Sequence, residues 1–127
     1  MAAVSAAKRA RPAALEATVT TVTIPGLGMP TGMFVLGDGT RLFSSGNTIL
    51  QLTPSGRLAT IAGNPEEDGA LKDDQGIFAR FNGPNRLTVD RAGNVVVADY
   101  GNHAIRSVAK EGAVVSTLAG GRKMIRK

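Results

Sequence analysis

Cysteine and tryptophan are both absent from this 127-residue chain. Without cysteine there is no disulfide framework, no thiolate metal site and no thiol nucleophile, so an extracellular disulfide-stapled module is disfavoured. An intracellular, cytoplasmic location is the expectation. Aromatic residues make up only 4% of the chain, and His103 is the sole histidine. No apolar run approaches the roughly 20 residues that cross a bilayer; even Val95 to Ala98 is halted by Asp99. The Gly-x-Ser-x-Gly elbow of a serine hydrolase is missing as well.

Glycine, by contrast, is abundant at 16 of 127 residues, about twice the usual share of roughly 7%. That composition suits a fold of many tight turns and short strands. The formal net charge of +5 divides unevenly along the chain. Lys8, Arg9 and Arg11 stand at one end, and Arg122, Lys123, Arg126 and Lys127 at the other. Residues 18–121 hold eight basic and nine acidic residues, so the folded part is close to neutral. Counterion release on nucleic acid needs several cations on one face, and nothing in the middle clusters them. Residues 1–17, rich in alanine with three basic residues before the first acid, read as a disordered leader, with an organelle-targeting presequence as the alternative. Residues 122–127 form a flexible basic tail.

The informative feature is an internal repeat. Pro30, Met33, Val35, Gly39, Leu42 and Phe43 fall under Pro84, Leu87, Val89, Gly93, Val96 and Val97 at a constant shift of 54. After a shortened turn, Ile49, Leu52 and Gly56 fall under Ile105, Val108 and Gly112, and Thr60 to Gly63 under Thr117 to Gly120. The second copy divides into four strands: Leu87–Val89, Val95–Ala98, Ala104–Val108 and Val114–Leu118. The turns between them are carried by Asp90, Gly93 and Asn94, by Asp99 and Asn102, and by Lys110 to Gly112. Four short antiparallel strands in about forty residues, repeated, is the period of a propeller blade.

The run Phe78-Ala79-Arg80-Phe81-Asn82-Gly83-Pro84, then Leu87 to Asp90, Gly93 to Asp99, Asn102-His103-Ala104-Ile105-Arg106 and Ser116 to Gly120, resembles the NHL repeat, including its Asn-His pair. Arg86 stands where that family commonly has glycine, and the first copy has Ser45-Gly46-Asn47 in place of the family's Ala-Asp and Asn-His residues. The resemblance implies an all-β chain: two four-stranded antiparallel blades of an NHL-type β-propeller. Residues 18–28 would be the last strand and loop of a preceding blade, 29–63 blade 1, 64–81 an interblade loop and 82–121 blade 2. Propellers have four to eight blades, each covering the next, so two blades leave two outer faces bare. Either further blades of a longer product or self-association, three chains making a six-bladed ring, would cover them.

For chemistry the sequence offers little. His103 beside Asn102 and Asp99 reads as a structural turn before it reads as a general base or metal ligand. The acids Glu66, Glu67, Asp68, Asp73 and Asp74 lack EF-hand spacing, since Ala79 occupies the twelfth position from Asp68, so they read as a solvated loop. Phe78 and Phe81 are core candidates beneath that loop. Arg80, Arg86, Tyr100 and His103 are the candidate partner-binding surface, gathered where loops collect. No catalytic, cofactor or metal residue is assigned. The expected function is a non-catalytic protein-interaction scaffold. An RNA-binding propeller module is the alternative, and a fragment of a lactonase- or lyase-like propeller enzyme a further one.

Overall fold

The computed structural model describes residues 17–21 and 28–121. The leader expected over residues 1–17 (Ala17 apart), the tail over residues 122–127, and residues 22–27 of the expected terminal strand and loop lie outside the described residues. Eight strands follow: β1 (Pro30–Val35), β2 (Arg41–Ser45), β3 (Thr48–Leu52), β4 (Leu58–Gly63), β5 (Pro84–Val89), β6 (Val95–Asp99), β7 (Ala104–Val108) and β8 (Val115–Gly120). They form two four-stranded antiparallel meanders, β1-β2-β3-β4 and β5-β6-β7-β8. No helix of the described residues is long and apolar enough to cross a membrane.

The repeat reaches down to register. Met33 lies opposite Phe43 and Phe43 opposite Leu50 in the first sheet, as Leu87 lies opposite Val97 and Val97 opposite Arg106 in the second. Each sheet carries an irregularity at the same two places, Pro30/Gly32 with Pro84/Arg86, and Ile49/Leu50 with Ile105/Arg106. The fourth strand runs to Gly120, two residues beyond the expected end, because this second irregularity keeps it paired as far as Ala104.

The two sheets stack face to face. One face of the first contributes Leu42, Ile49 and Ala62 to a single buried cluster, and the facing side of the second contributes Val95, Val97, Val108 and Val115. β1 and β2 pack on β5. At that crossing the backbones come so close that a Cβ on Gly32 would stand 2.6 Å from the Asn85 carbonyl oxygen. Only glycine fits there.

Residues 64–81 connect the sheets; Glu66, Glu67, Asp68 and Asp73 are exposed, and the segment is at the same time fastened to the second sheet. Val115 N donates to Asp74 O and Gly76 N to Ala113 O, lashing the segment to the edge of β8. Lys72 and Arg80 pair with each other across a short 3-10 turn at Gly76–Phe78. Ala79 and Phe81 point into the joint and are fully buried. Phe78 departs from the expectation: it is 60% exposed, because the 3-10 turn swings Ile77 and Phe78 to the surface while extended backbone after it directs Ala79 and Phe81 inward.

The tight hairpins rest on carboxylates. Asp90 Oδ1 accepts from the Ala92 and Asn94 backbone N–H groups, beside Gly93 at φ +94°. Asp38 Oδ1 accepts from Thr40 N, and Asp74 Oδ1 from Gln75 N. These backbone donors hold all three carboxyls below the ordinary aspartate value, through Asn94, Thr40 and Gln75 respectively. Folding depresses these pKa values, so the stabilisation is complete above the unfolded aspartate pKa and is lost as pH falls through the folded one. The stability difference between wild type and Asp90→Ala should therefore be full at neutral pH and shrink below about pH 4. Urea titrations across that range would show it; a difference that grows in acid would contradict the turn assignment.

Candidate interaction site

At the joint the structure builds a buried polar knot that the sequence does not advertise. Strand β7 alternates Ala104, Arg106, Val108 toward the joint, so Arg106 projects where its neighbours are apolar, and it is completely buried. Its Nη1 donates to Asp99 Oδ2 at 2.6 Å and to Arg80 O at 3.0 Å. Nη2 donates to Lys72 O and to Asp73 Oδ1, each at 3.0 Å. The guanidinium lies 4.7 Å from the Phe81 ring centroid, a cation–π contact in a desolvated site. Asp99, also fully buried, accepts from Asn82 N through Oδ1 and from Asn102 Nδ2 through Oδ2. Asp73 additionally accepts from Thr117 N and Thr117 Oγ1. This knot pins the interblade segment to the second sheet.

Asp99 is thus spent on structure. Asn102 Nδ2 also donates to Ala70 O, and Asp99 is the fully buried last residue of β6. His103 adopts the left-handed region at φ +52°, a conformation His tolerates better than most residues. No described carboxylate engages its ring. Among the described residues, no three His, Cys, Asp or Glu side chains gather in a metal-holding arrangement.

Three of the four candidate surface residues share one end of the second sheet. Ala98 pairs with Arg86 on one side and with Ile105 on the other, and Ile105 with Ala119, so these four occupy the outer face. Directly cross-strand residues point to the same side of a sheet. Ala98, Ile105 and Ala119 line a shallow hollow of about 440 Å³ whose rim carries Tyr100 and His103. Tyr100 is 72% exposed, and Arg86 is exposed beside Ala98. Arg80 is elsewhere: its Nη1 turns back onto the Ile77 and Ala79 carbonyls, with Glu67 at 4.0 Å from Nη2. Sequence reasoning missed Arg106 and Asp73; the one available signal was an arginine between Ala104 and Val108, the two apolar residues on the same side of its strand.

A family model described as the NHL repeat matches residues 81–106. No curated protein matches the sequence. Among solved structures, the chain is similar to a virginiamycin B lyase from Staphylococcus aureus, with TM-score 0.54, 18% identity, and coverage of 77% of this chain and 29% of that one. It is similar to a structural genomics protein of unknown function from Bacteroides thetaiotaomicron, with TM-score 0.63, 26% identity and coverage of 84% and 26%. An auxiliary nutrient binding protein from Bacteroides ovatus gives TM-score 0.59, 22% identity and coverage of 72% and 26%. The chain spans less than a third of the length of each.

Proposed function

We propose, for a chain whose residues 81–106 are an NHL repeat within a partial β-propeller, that it is a protein-interaction module, non-catalytic by itself, which takes its partner on the outer face of blade 2. The observation that carries this reading is the convergence of Tyr100 and His103 on one apolar hollow, with Ile105 left 40% exposed and Arg86 on the same face opposite Ala98. Exposed aromatic and arginine side chains beside apolar surface are the composition of binding hot spots. A lyase-type reading has less support, because the turn's one carboxylate is bonded to Arg106, Asn102 and Asn82 rather than to His103.

A photo-crosslinking residue in place of Tyr100 tests the proposal against the same residue in place of Glu111, which is exposed on the β7–β8 hairpin. Protein adducts from position 100 and none from 111 are expected. With the partner in hand, the Tyr100→Ala, His103→Ala double variant should bind at least about tenfold more weakly, the loss of one modest hot spot. RNA adducts at position 100 would replace this reading with the RNA-binding one, and equal adducts at both positions would end it.

A further inference from the structure

Blade 2 closes its own sheet edge. Strand β8 is the last of its sheet, and its outward donors are met by the interblade segment: Val115 N donates to Asp74 O, while Thr117 N and Thr117 Oγ1 donate to the two carboxylate oxygens of Asp73. Gln75 bridges to Val114 beside them. Residues 73–75 thus lie along the strand as a cap, and Thr117 fixes the place of its aspartate.

Strand β4 is the same edge of blade 1. Leu58 pairs with Leu52 as Val115 with Val108, Ala59 with Gln51 as Ser116 with Ser107, and Thr60 with Leu50 as Thr117 with Arg106. The hairpins agree, since Thr53 N donates to Arg57 O as Ala109 N does to Val114 O. Alternate residues of an antiparallel edge strand turn their N–H groups outward. In β8 these are Val115 and Thr117, so in β4 they are Leu58 and Thr60. Thr60 also repeats the hydroxyl that Asp73 engages in blade 2. No described residue caps Leu58 N, Thr60 N or Thr60 Oγ1 in this way. The Gly76–Phe78 turn lies against β4 at Ile61, and Leu58, Ala59 and Thr60 stay exposed. An uncovered edge strand ordinarily carries a charge or a proline that keeps other strands away; β4 has neither.

The cap on blade 2 and the charge around the bare edge define the occupant. In blade 2 the Asp73 carboxylate is held by Arg106 as well as by Thr117. Leu50 stands at the place of Arg106, and the cations of blade 1 lie nearby. Arg57 directly precedes Leu58, and Arg41 stands in the cross-strand row Arg41, Leu52, Leu58, whose side chains emerge on one face. Both arginines are exposed, and neither the four strands of blade 1 nor the β3–β4 hairpin contains an acid.

We propose that the Leu58–Thr60 edge of blade 1 is a second docking site, which takes an extended segment of a protein partner bearing an aspartate that accepts from Thr60 N and Oγ1. Main-chain hydrogen bonds supply the affinity of such an added strand, and the side chain read at Thr60 supplies its specificity. This goes beyond the interaction reading, which concerns the outer face of blade 2, and does not depend on it.

The probe is a synthetic peptide copying residues 70–76, added to the isotope-labelled 127-residue chain and followed by amide signals and amide hydrogen exchange. In the free chain the Leu58 and Thr60 amides should exchange at least about tenfold faster than those of Val115 and Thr117, which are capped already. The peptide should shift the Leu58 and Thr60 signals saturably and slow their exchange, leaving Val115 and Thr117 unmoved. Alanine in place of the peptide's Asp73, or Thr60→Val in the chain, should weaken binding about tenfold, the loss of a charge-assisted hydrogen bond. Slow exchange of Leu58 and Thr60 in the free chain overturns the proposal, because the edge is then covered by the chain's own residues or by a second copy. A peptide that does not bind, or binds without moving Leu58 and Thr60, overturns it as well. Equal binding of the alanine peptide removes the aspartate and with it the proposal, and this arm decides even if Thr60→Val fails to fold.

Discussion

Replacing Asp99 with alanine is expected to destabilise the chain by about 3–5 kcal/mol, the cost of leaving a buried charge without its partner. Arg106 has no solvent to turn to: it is fully buried, and its remaining acceptors are the carbonyls of Lys72 and Arg80 and one carboxylate oxygen of Asp73. Domains of this kind have only about 5–15 kcal/mol of total stability, so Asp99→Ala should shift the urea midpoint markedly or leave the chain unfolded. Circular dichroism is the appropriate probe, since the chain has no tryptophan. Blade 1 provides the control. It carries Ser45 and Leu50 at the places of Asp99 and Arg106, and both are buried. The double variant Asp99→Ser, Arg106→Leu transplants that apolar solution and should recover part of the loss, because replacing both members of a buried pair is far cheaper than removing one. It also releases the interblade segment from Arg106, so recovery should be incomplete. A single-variant cost below about 1 kcal/mol, the range of exposed ion pairs, would show that the knot does not hold the joint.

The second large effect separates two phenylalanines three residues apart. Phe81→Ala should cost about 3–5 kcal/mol, the usual penalty for emptying a fully buried aromatic site. Phe78→Ala should change stability by no more than about 0.5 kcal/mol, as expected for an exposed position. Phe81 is completely buried between the sheets and its ring lies under the Arg106 guanidinium, so its loss also removes the cation–π contact. Phe81→Ala and Arg106→Leu should therefore be non-additive, with a coupling measurable in a double-mutant cycle. Equal costs at positions 78 and 81 would mean that the interblade segment does not sit as described.

Composition bears on both results. The cluster at the joint is made of Val, Leu, Ile and Ala with the Phe81 ring from the interblade segment, Phe43 lies in a second buried cluster with Leu50 and Leu52, and the two largest fully buried side chains are Arg106 and Phe81. These two side chains stack on each other, and the arginine's donors bind the segment that enters blade 2.

What the sequence by itself determined is the repeat. The β-branched run Val95–Val97, glycines at Gly39 and Gly93, and a constant offset between copies are local signals. Strand and turn preferences act over a few residues, so two antiparallel meanders could be read from them directly. The turn carboxylate of Asp90 was legible for the same reason. Tertiary structure alone decided that Arg106 is buried, that Asp73 of an acidic loop is its partner, and that Phe78, unlike Phe81, is outside. Each of these depends on which face of a strand meets the neighbouring sheet and on the path of an irregular segment between them. Contacts across 17 to 54 positions of chain leave no local pattern, because they are fixed by the free energy of bringing two surfaces together and not by the preference of any one residue.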